Sequence, residues 1–309
     1  MTDTTTTAAS HHLDAARRHD AVLYFDVADG NPNGDPDAGN LPRVDPETMA
    51  GLVTDVAIKR KIRNWVDASR GREERYKIYV QTQDALNTLH QRAYTALGLK
   101  STGSKQKREE ISSARDWMCQ NFFDVRTFGA VMTTGVNAGQ VRGPVQITFA
   151  RSEDPIIPLD ISITRTAITR PEDMKIAGDD GEEGKGKTTE MGRKPLVPYG
   201  LYRAHIFVNP HFGASTGFDS EDLATLWQSL ELMWDLDRSA SRGMMACRGL
   251  YVFSHETSLG NAPAHRLFER VTAERNDKTK PPRHFSDYTI AVRGDDLPAG
   301  VTLSSLVTG

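Results

Sequence analysis

AVLYFDVADGNPNGDPDAGNLPRVDPETMAGLVTDVAIKRKIRNWV, residues 21–66, is the stretch from which the fold is read. Its first seven residues, Ala21 to Val27, form a β-rich run closed by Asp-Gly, and the turn-dense GNPNGDPDAGNLPR that follows predicts a strand leading into a long shaped loop. Thr54 then caps a helix through Val66, because Ile58, Ile62, Trp65 and Val66 recur at helical spacing on one face. Lys59, Arg60 and Arg63 fan out beside that face, while Lys61 points elsewhere.

Upstream, Met1 to His19 carries a threonine run and no apolar block, so it lacks the hydrophobic centre of a secretory signal and reads as a disordered tail. Downstream, residues 70–124 mix charged helical patterns with the polar cluster STGSKQKREE and read as a mostly helical insertion. Val125 to Met132 and Gly143 to Arg151 are strand candidates that together predict a hairpin with an elaborate tip. Ile161 to Thr169 is β-prone, and Pro171 to Lys194 has almost no apolar content, which predicts a long mobile loop. Tyr199 to Val208 resumes a strand, Ser220 to Arg238 is an amphipathic helix, and Leu250 to Ser254 closes as a strand. The order strand, helix, hairpin, insertion, strand, helix, strand predicts an α+β fold: a βαββαβ ferredoxin-like sheet with large insertions.

Composition narrows the function. The 38% hydrophobic content and 25 glycines of the 309 residues supply an ordinary globular core. Lys and Arg number 38 against 41 Asp and Glu, a net charge of -3, so the chain is not a globally basic polyanion binder and any nucleic-acid surface is a local patch. Two cysteines, Cys119 and Cys247, exclude a disulfide framework or a Cys-rich metal site and fit a reducing cytoplasm. No stretch approaches the roughly 18 apolar residues of a membrane span.

Several motifs fail in their context. Gly181 to Thr188, GEEGKGKT, matches a phosphate loop, but acidic residues precede it and Gly192, Pro195 and Pro198 break any helix after it. Asp29, Asn31, Asn33 and Gly34 copy the first half of a calcium loop whose last ligand position is Asn40 instead of glutamate. There is no HExxH and no GxSxG, and acids such as Asp35 and Asp37 in an Asn/Gly/Pro turn ordinarily bond nearby backbone. What survives is the glycine-rich loop NPNGDPDAGN beside Arg43 and the Lys59, Arg60, Arg63 flank. Glycines let backbone amides approach an anion, and cations on a firm helix supply charge, so this is a phosphate-track candidate.

The runs GNPNGDPDAGNLPRVDPET and GLVTDVAIKRKIRNWV, then RTFGAVM, GQVRGPVQITFARS, MGRKPLVPYGLYRAHIF and DRSASRGMM, resemble the backbone subunit of CRISPR Cascade complexes, of the RAMP superfamily, with subtype I-C the best match. The resemblance runs from about Arg18 past Ala264. It implies a right-hand shape with an RNA-recognition-like palm, helical fingers and a flexible thumb. On this chain that division is a tail at 1–19, palm at 20–69, fingers at 70–124, a palm hairpin at 125–160, thumb at 161–198, the second palm half at 199–260, and a C-terminal extension at 261–309.

By the same resemblance, Asn31, Asn33, Gly34, Arg43, Lys59, Arg60 and Arg63 contact guide phosphates. Phe128, Gly129, Met132, Gln140, Arg142 and Gly143 line the RNA track, with a core role equally open for Phe128. Arg165, Met191, Arg193 and Lys194 belong to the thumb, and Tyr199 or Tyr202 either stacks on a base or packs in the core. The implied protein is non-catalytic and needs no metal or other cofactor. It polymerises along CRISPR RNA and leaves the bases free to pair with target DNA. Its partners are copies of itself and the guide-processing, large and small subunits. Two other classes remain open: a metal-dependent RAMP-type endoribonuclease using Asp35 or Asp37, and a structural ferredoxin-like protein that binds no nucleic acid.

Overall fold

Strand β1, His19–Gly30, divides the protein into layers. Ala21, Leu23, Phe25 and Val27 are buried in one core, and Val22 and Tyr24 in another, because successive side chains of a strand point to opposite faces. The structure, a computed structural model, describes residues 10–81, 84–102, 106–165, 167 and 190–309.

After β1 come the short strands β2 (Gly34–Asp35), β3 (Leu41–Pro42) and β4 (Ala50–Val53), and then helix α1 (Asp55–Arg70). Helices α2 (Leu86–Ala96), α3 (Arg108–Asn121) and α4 (Phe123–Phe128) lead to a hairpin of β5 (Gly129–Met132) and β6 (Gly139–Arg142). Strands β7 (Val145–Ile147), β8 (Ala150–Pro155), β9 (Leu159–Arg165) and β10 (Glu190–Val208) precede α5 (Pro210–Thr216) and α6 (Ser220–Leu236). The chain ends with β11 (Met244–His255), α7 (Ala264–Phe268), β12 (Val271–Arg275), β13 (Tyr288–Val292) and β14 (Val301–Thr308).

The central sheet is antiparallel, in the order β14-β11-β1-β10-β8-β4. The 19-residue β10 also pairs with β7 near its end and with β9 along Glu190 to Leu196. One face is covered by α1 and α6, whose Ile58, Ile62, Val66, Leu226, Leu230 and Trp234 meet the inward residues of β1. On the other face Tyr24, Tyr199, Tyr251 and Phe253 are sealed by Leu267, Phe268, Val271 and Tyr288 from the C-terminal region. A third core holds α2, α3 and the β5–β6 hairpin together. Among the described residues no helix is long and apolar enough to cross a membrane.

Three expectations are corrected. The strand expected over Val125 to Met132 is helical through Phe128, and β5 pairs with β6 instead of with Gly143 to Arg151, which divides into β7 and β8. The cause is Arg126, 0% exposed: its guanidinium bonds both Asp222 oxygens and the carbonyls of Arg75 and Cys119, so tertiary contacts override β propensity. The expected disordered tail is ordered over residues 10–19, because Trp227 Nε1 donates to the His12 carbonyl (2.8 Å) and His19 opens β1 fully buried; residues 1–9 lie outside the description. Of the polar segment Pro171 to Lys194, residues 171–189, including Gly181 to Thr188, also lie outside it, but from Glu190 the chain is strand, laddered on β9 from Leu196↔Leu159 to Glu190↔Arg165.

Candidate nucleic-acid interface

Helix α1 begins where its sequence says it should: Thr54 Oγ1 accepts from the Ala57 amide at 3.3 Å. The same Thr54 donates its own amide to Asn33 Oδ1 at 3.0 Å, which fixes the glycine-rich loop to the helix start. Asn31 Nδ2 donates to the Asn40 carbonyl (2.7 Å), and the Asn31 amide donates to the Ser241 carbonyl (2.7 Å), so the loop is also tied to the turn after α6. That contact requires glycine at two points. A Cβ on Gly30 would sit 1.9 Å from the Arg242 carbonyl oxygen, and Gly243 has a φ of +64° with its Cβ position 2.4 Å from the Ala28 carbonyl oxygen.

These elements enclose a groove of about 530 Å³, lined by Asn31, Asn33, Gly34, Arg60, Lys61, Asn64, Ser239, Ser241 and Arg242, among others. Its floor is an ion triad. Asp237, whose side chain is 8% exposed, accepts from Lys61 Nζ and forms an ion pair with Arg242 Nε at 2.9 Å. Burial pushes the Lys61 ammonium down from its ordinary value, against the raising influence of Asp237. With all three charged, the triad is net positive by one, and exposed Arg60 adds a cation with no ion-pair partner among the described residues. Asn31 Oδ1 and Arg43 Nε are buried without hydrogen-bond partners, although Arg43 Nη1 meets Asp35 at 3.3 Å. Such a groove offers an oxyanion side-chain donors, hydroxyls and cations.

A second, more open groove of about 870 Å³ runs between the β5–β6 hairpin and α5, lined by Phe128, Gly129, Gln140, Arg142, Gly143 and Phe212. Gly129 (φ +83°) and Gly143 cross there, each leaving no room for a Cβ on the other's backbone. The Arg142 guanidinium lies 4.2 Å over the Phe212 ring. Phe128 links this groove to α1: Lys59 Nζ stands 5.6 Å and Arg63 Cζ 5.4 Å from its ring centre.

The structure therefore brings together Asn31, Asn33, Gly34 and Arg60 with Arg43 nearby, and separately Phe128, Gly129, Gln140, Arg142 and Gly143. It removes others. Met132 is 0% exposed in the helical-insertion core, so it cannot line a track. Tyr202 is 0% exposed and stacked on Phe25 (5.4 Å between centres), and Tyr199 is buried with its hydroxyl donating to Asp26, so the core role wins for both. Arg63 Nε is committed to Asp124 at 2.7 Å, with the two side chains 11% and 1% exposed. Lys59 pairs with Asp55 at 2.9 Å. Arg165, Met191, Arg193 and Lys194 lie on the β9–β10 ribbon, where Met191 is 77% exposed and Arg193 meets Asp160 at 2.7 Å.

Ser239, Ser241, Arg242 and Asn64 are groove residues that sequence reasoning did not single out. DRSASRG, a Ser/Arg/Gly run between an amphipathic helix and a strand, fits a plain turn as well as it fits a binding surface. Asp35 is occupied by the Asp37 amide (3.1 Å) and by Arg43. Among the described residues no group of three or more His, Cys, Asp or Glu side chains is placed to hold a metal ion.

A curated relative, CRISPR-associated protein Cas7 of Haloferax volcanii, is 29% identical over 117 residues, 38% of this chain and 32% of the relative, so the match spans about a third of that protein. Among solved structures, a chain of a CRISPR RNA-guided surveillance complex, pre-nicking, is similar with a TM-score of 0.47 and 13% identity, covering 76% of this chain and 78% of that one. A chain of the type III-B Cmr-beta complex bound to cognate target RNA gives 0.39 and 10%, covering 76% and 61%. The family profile of CRISPR-associated protein Cas7 matches residues 17–293, nearly the whole of the sheet, helices and grooves described above. The chain belongs to the CRISPR-associated protein Cas7 family.

Proposed function

We propose that this chain is the guide-RNA-binding backbone subunit of a subtype I-C Cascade surveillance complex. It grips CRISPR RNA by its phosphates, leaves most bases free to pair with a target DNA strand, and repeats head to tail along the guide beside the guide-processing, large and small subunits. The observation that carries this reading is the groove in which the glycine-rich loop, Arg60 on α1 and the Ser239 to Arg242 turn converge. Phosphate contacts of this kind position a strand without reading its sequence, which is left to base pairing. A head-to-tail interface between copies generates an open helical array.

The family's right hand fits this chain as follows. The strands β11-β1-β10-β7/β8 with α1 and α6 make a ferredoxin-like palm, α2, α3 and the β5–β6 hairpin make the fingers, and the β9–β10 ribbon is the base of the thumb. The role is binding without turnover. Asp35, the acid best placed in the loop, has its carboxylate occupied by Arg43 and a backbone amide, which speaks against a free general base.

Labelled guide RNA incubated with and without divalent metal tests the reading. A stable mobility shift in both conditions is expected. Metal-dependent cleavage lost in Asp35→Asn with Asp37→Asn would replace it with the endoribonuclease reading, and no shift at any salt would leave a structural protein.

A further inference from the structure

The glycine-rich loop carries one buried polar atom that its own fold does not use. Asn31 is 8% exposed and lines the phosphate groove, and its Oδ1 has no hydrogen-bond partner among the described residues. The orientation of that amide is fixed. Its Nδ2 donates to the Asn40 carbonyl (2.7 Å) and the Asn31 backbone N–H to the Ser241 carbonyl (2.7 Å), and turning the side chain over would set oxygen against oxygen.

Neighbouring side-chain acceptors of the groove are spent. Asn33 Oδ1 accepts from the Thr54 amide (3.0 Å), Ser239 Oγ accepts from the Arg242 amide (3.2 Å), and Asp237 holds Lys61 and Arg242. Asn40 and Asn64 are exposed, where water meets their amides. Asn31 Oδ1 is thus a buried acceptor left unpaired beside cations and donors, an arrangement that is costly unless a ligand brings a donor to it.

That atom rejects a phosphate oxygen, which also only accepts. Within a nucleic-acid backbone the phosphate, ester and ring oxygens accept, and the ribose 2′-hydroxyl alone donates. A base edge donates too, but a groove that repeats along a guide of any sequence needs a donor that every nucleotide carries. We infer that Asn31 Oδ1 accepts a hydrogen bond from a ribose 2′-hydroxyl of the strand whose phosphates lie in this groove, so that Asn31 makes the site select RNA over DNA. This rests on the RNA-binding reading and adds the sugar to it. Arg60 and the triad of Lys61, Asp237 and Arg242 take the anion, and Asn31 takes the group that deoxyribose lacks.

The test uses the full chain and one short sequence made as RNA, as DNA and with 2′-fluoro sugars, which keep the RNA-like pucker but cannot donate. Wild type is expected to bind RNA roughly fivefold more tightly than the 2′-fluoro strand, the worth of about one net hydrogen bond, with DNA no better than the 2′-fluoro strand. The salt slopes of RNA and 2′-fluoro strands should be equal, because their phosphates are the same. Asn31→Ala and Asn31→Asp both lose the bond to Asn40, but only aspartate keeps an acceptor. Asn31→Ala should bind RNA and the 2′-fluoro strand alike, while Asn31→Asp should keep the preference for RNA although its charge weakens both. If the two variants lose the preference together, Asn31 only holds the loop in place and the sugar contact is wrong. If wild type binds RNA and the 2′-fluoro strand alike while Arg60→Ala lowers the salt slope, solvent satisfies Oδ1; the sugar contact is then wrong and the RNA-binding reading stands. Should urea unfolding show that either variant does not fold, single 2′-fluoro substitutions scanned along the RNA against wild type decide: one sensitive position per protomer supports the contact and none overturns it. If wild type binds no RNA, the underlying reading and this one fail together.

Discussion

Replacing Arg63 by alanine separates two meanings of a cation on α1. Its spacing beside Lys59 and Arg60 suggests a phosphate contact, but its guanidinium is spent on buried Asp124. Removing one partner of a buried pair typically costs about 3–5 kcal/mol, because the other charge is left uncompensated. Asp124 keeps two backbone donors, Tyr79 and Val80, so the cost falls at the lower end, about 3 kcal/mol. Arg60 is exposed and unpaired among the described residues, so Arg60→Ala should stay within about 0.5 kcal/mol of wild type in stability.

Urea unfolding and RNA titration across salt read the two effects separately. Arg63→Ala should lower the urea midpoint with the same m value and leave the log-log salt slope of RNA binding unchanged. Arg60→Ala should leave the midpoint alone and reduce the slope by about 0.7, the increment for one phosphate contact on a single strand. In a double-mutant cycle, Asp124→Asn with Arg63→Ala should show a coupling of at least about 1 kcal/mol. An Arg63→Ala protein with an unshifted midpoint and a slope lowered by about 0.7 would refute the assignment of this guanidinium to the fold.

Burial pushes the His19 imidazole down to about 4 from its ordinary 6.5. The unfolded chain therefore takes up a proton that the folded one refuses: the stability is present above pH 6.5 and is lost as pH falls toward 4, by about 2 kcal/mol between pH 7 and 5, and His19→Gln should flatten that part of the urea-midpoint profile. Tyr202→Phe removes a buried hydroxyl that has no partner, so stability should hold or rise by up to about 1 kcal/mol with RNA affinity unchanged; a loss of affinity on titration would put the ring back in the track. Gly30→Ala drives a methyl into the Arg242 carbonyl oxygen and should cost about 2 kcal/mol together with weaker RNA binding, since it displaces the turn that walls the groove; wild-type values in both assays would show that this contact gives way freely.

What could be read from sequence was what local physics decides. Thr54 and the Ile58, Ile62, Val66 stripe set α1 because cap and period lie within one segment. α4 was misread because its determinant, the bond from Arg126 to Asp222, spans 96 positions of sequence and no window contains both. Tyr199 and Tyr202 left their two readings open for a related reason. Whether an aromatic on a strand faces a ligand or a core depends on what covers it, and for Tyr199 the cover includes Tyr288 and Phe268, far along the chain. Arg63 had the right neighbours on the helix wheel, but Asp124 lies 61 positions away. The groove was half legible: its loop and helix were, while Ser239 to Arg242 gave no pattern that distinguishes a turn from a binding surface.

The sealed sheet explains where a nucleic acid can go on a chain with a net charge of -3. In RNA-recognition folds, aromatics on the open face of the sheet stack bases. Here the aromatics of one face lie under α7, β12 and β13, and those of the other lie under α1 and α6. On the proposed RNA-binding reading, the surface left for it lies at the ends of the elements, in the grooves where loops meet α1 and where the β5–β6 hairpin meets α5. At each of these places the structure keeps an exposed arginine without a carboxylate partner among the described residues, Arg60 in one groove and Arg142 in the other, while Arg63, Arg126 and Arg248 are bound to buried acids. Local charge is thus set by which cations the acids leave over, and two such residues per protomer make a weak site. On the proposed reading the weakness is compensated by repetition, because linked copies along one strand convert each further contact into an intramolecular one.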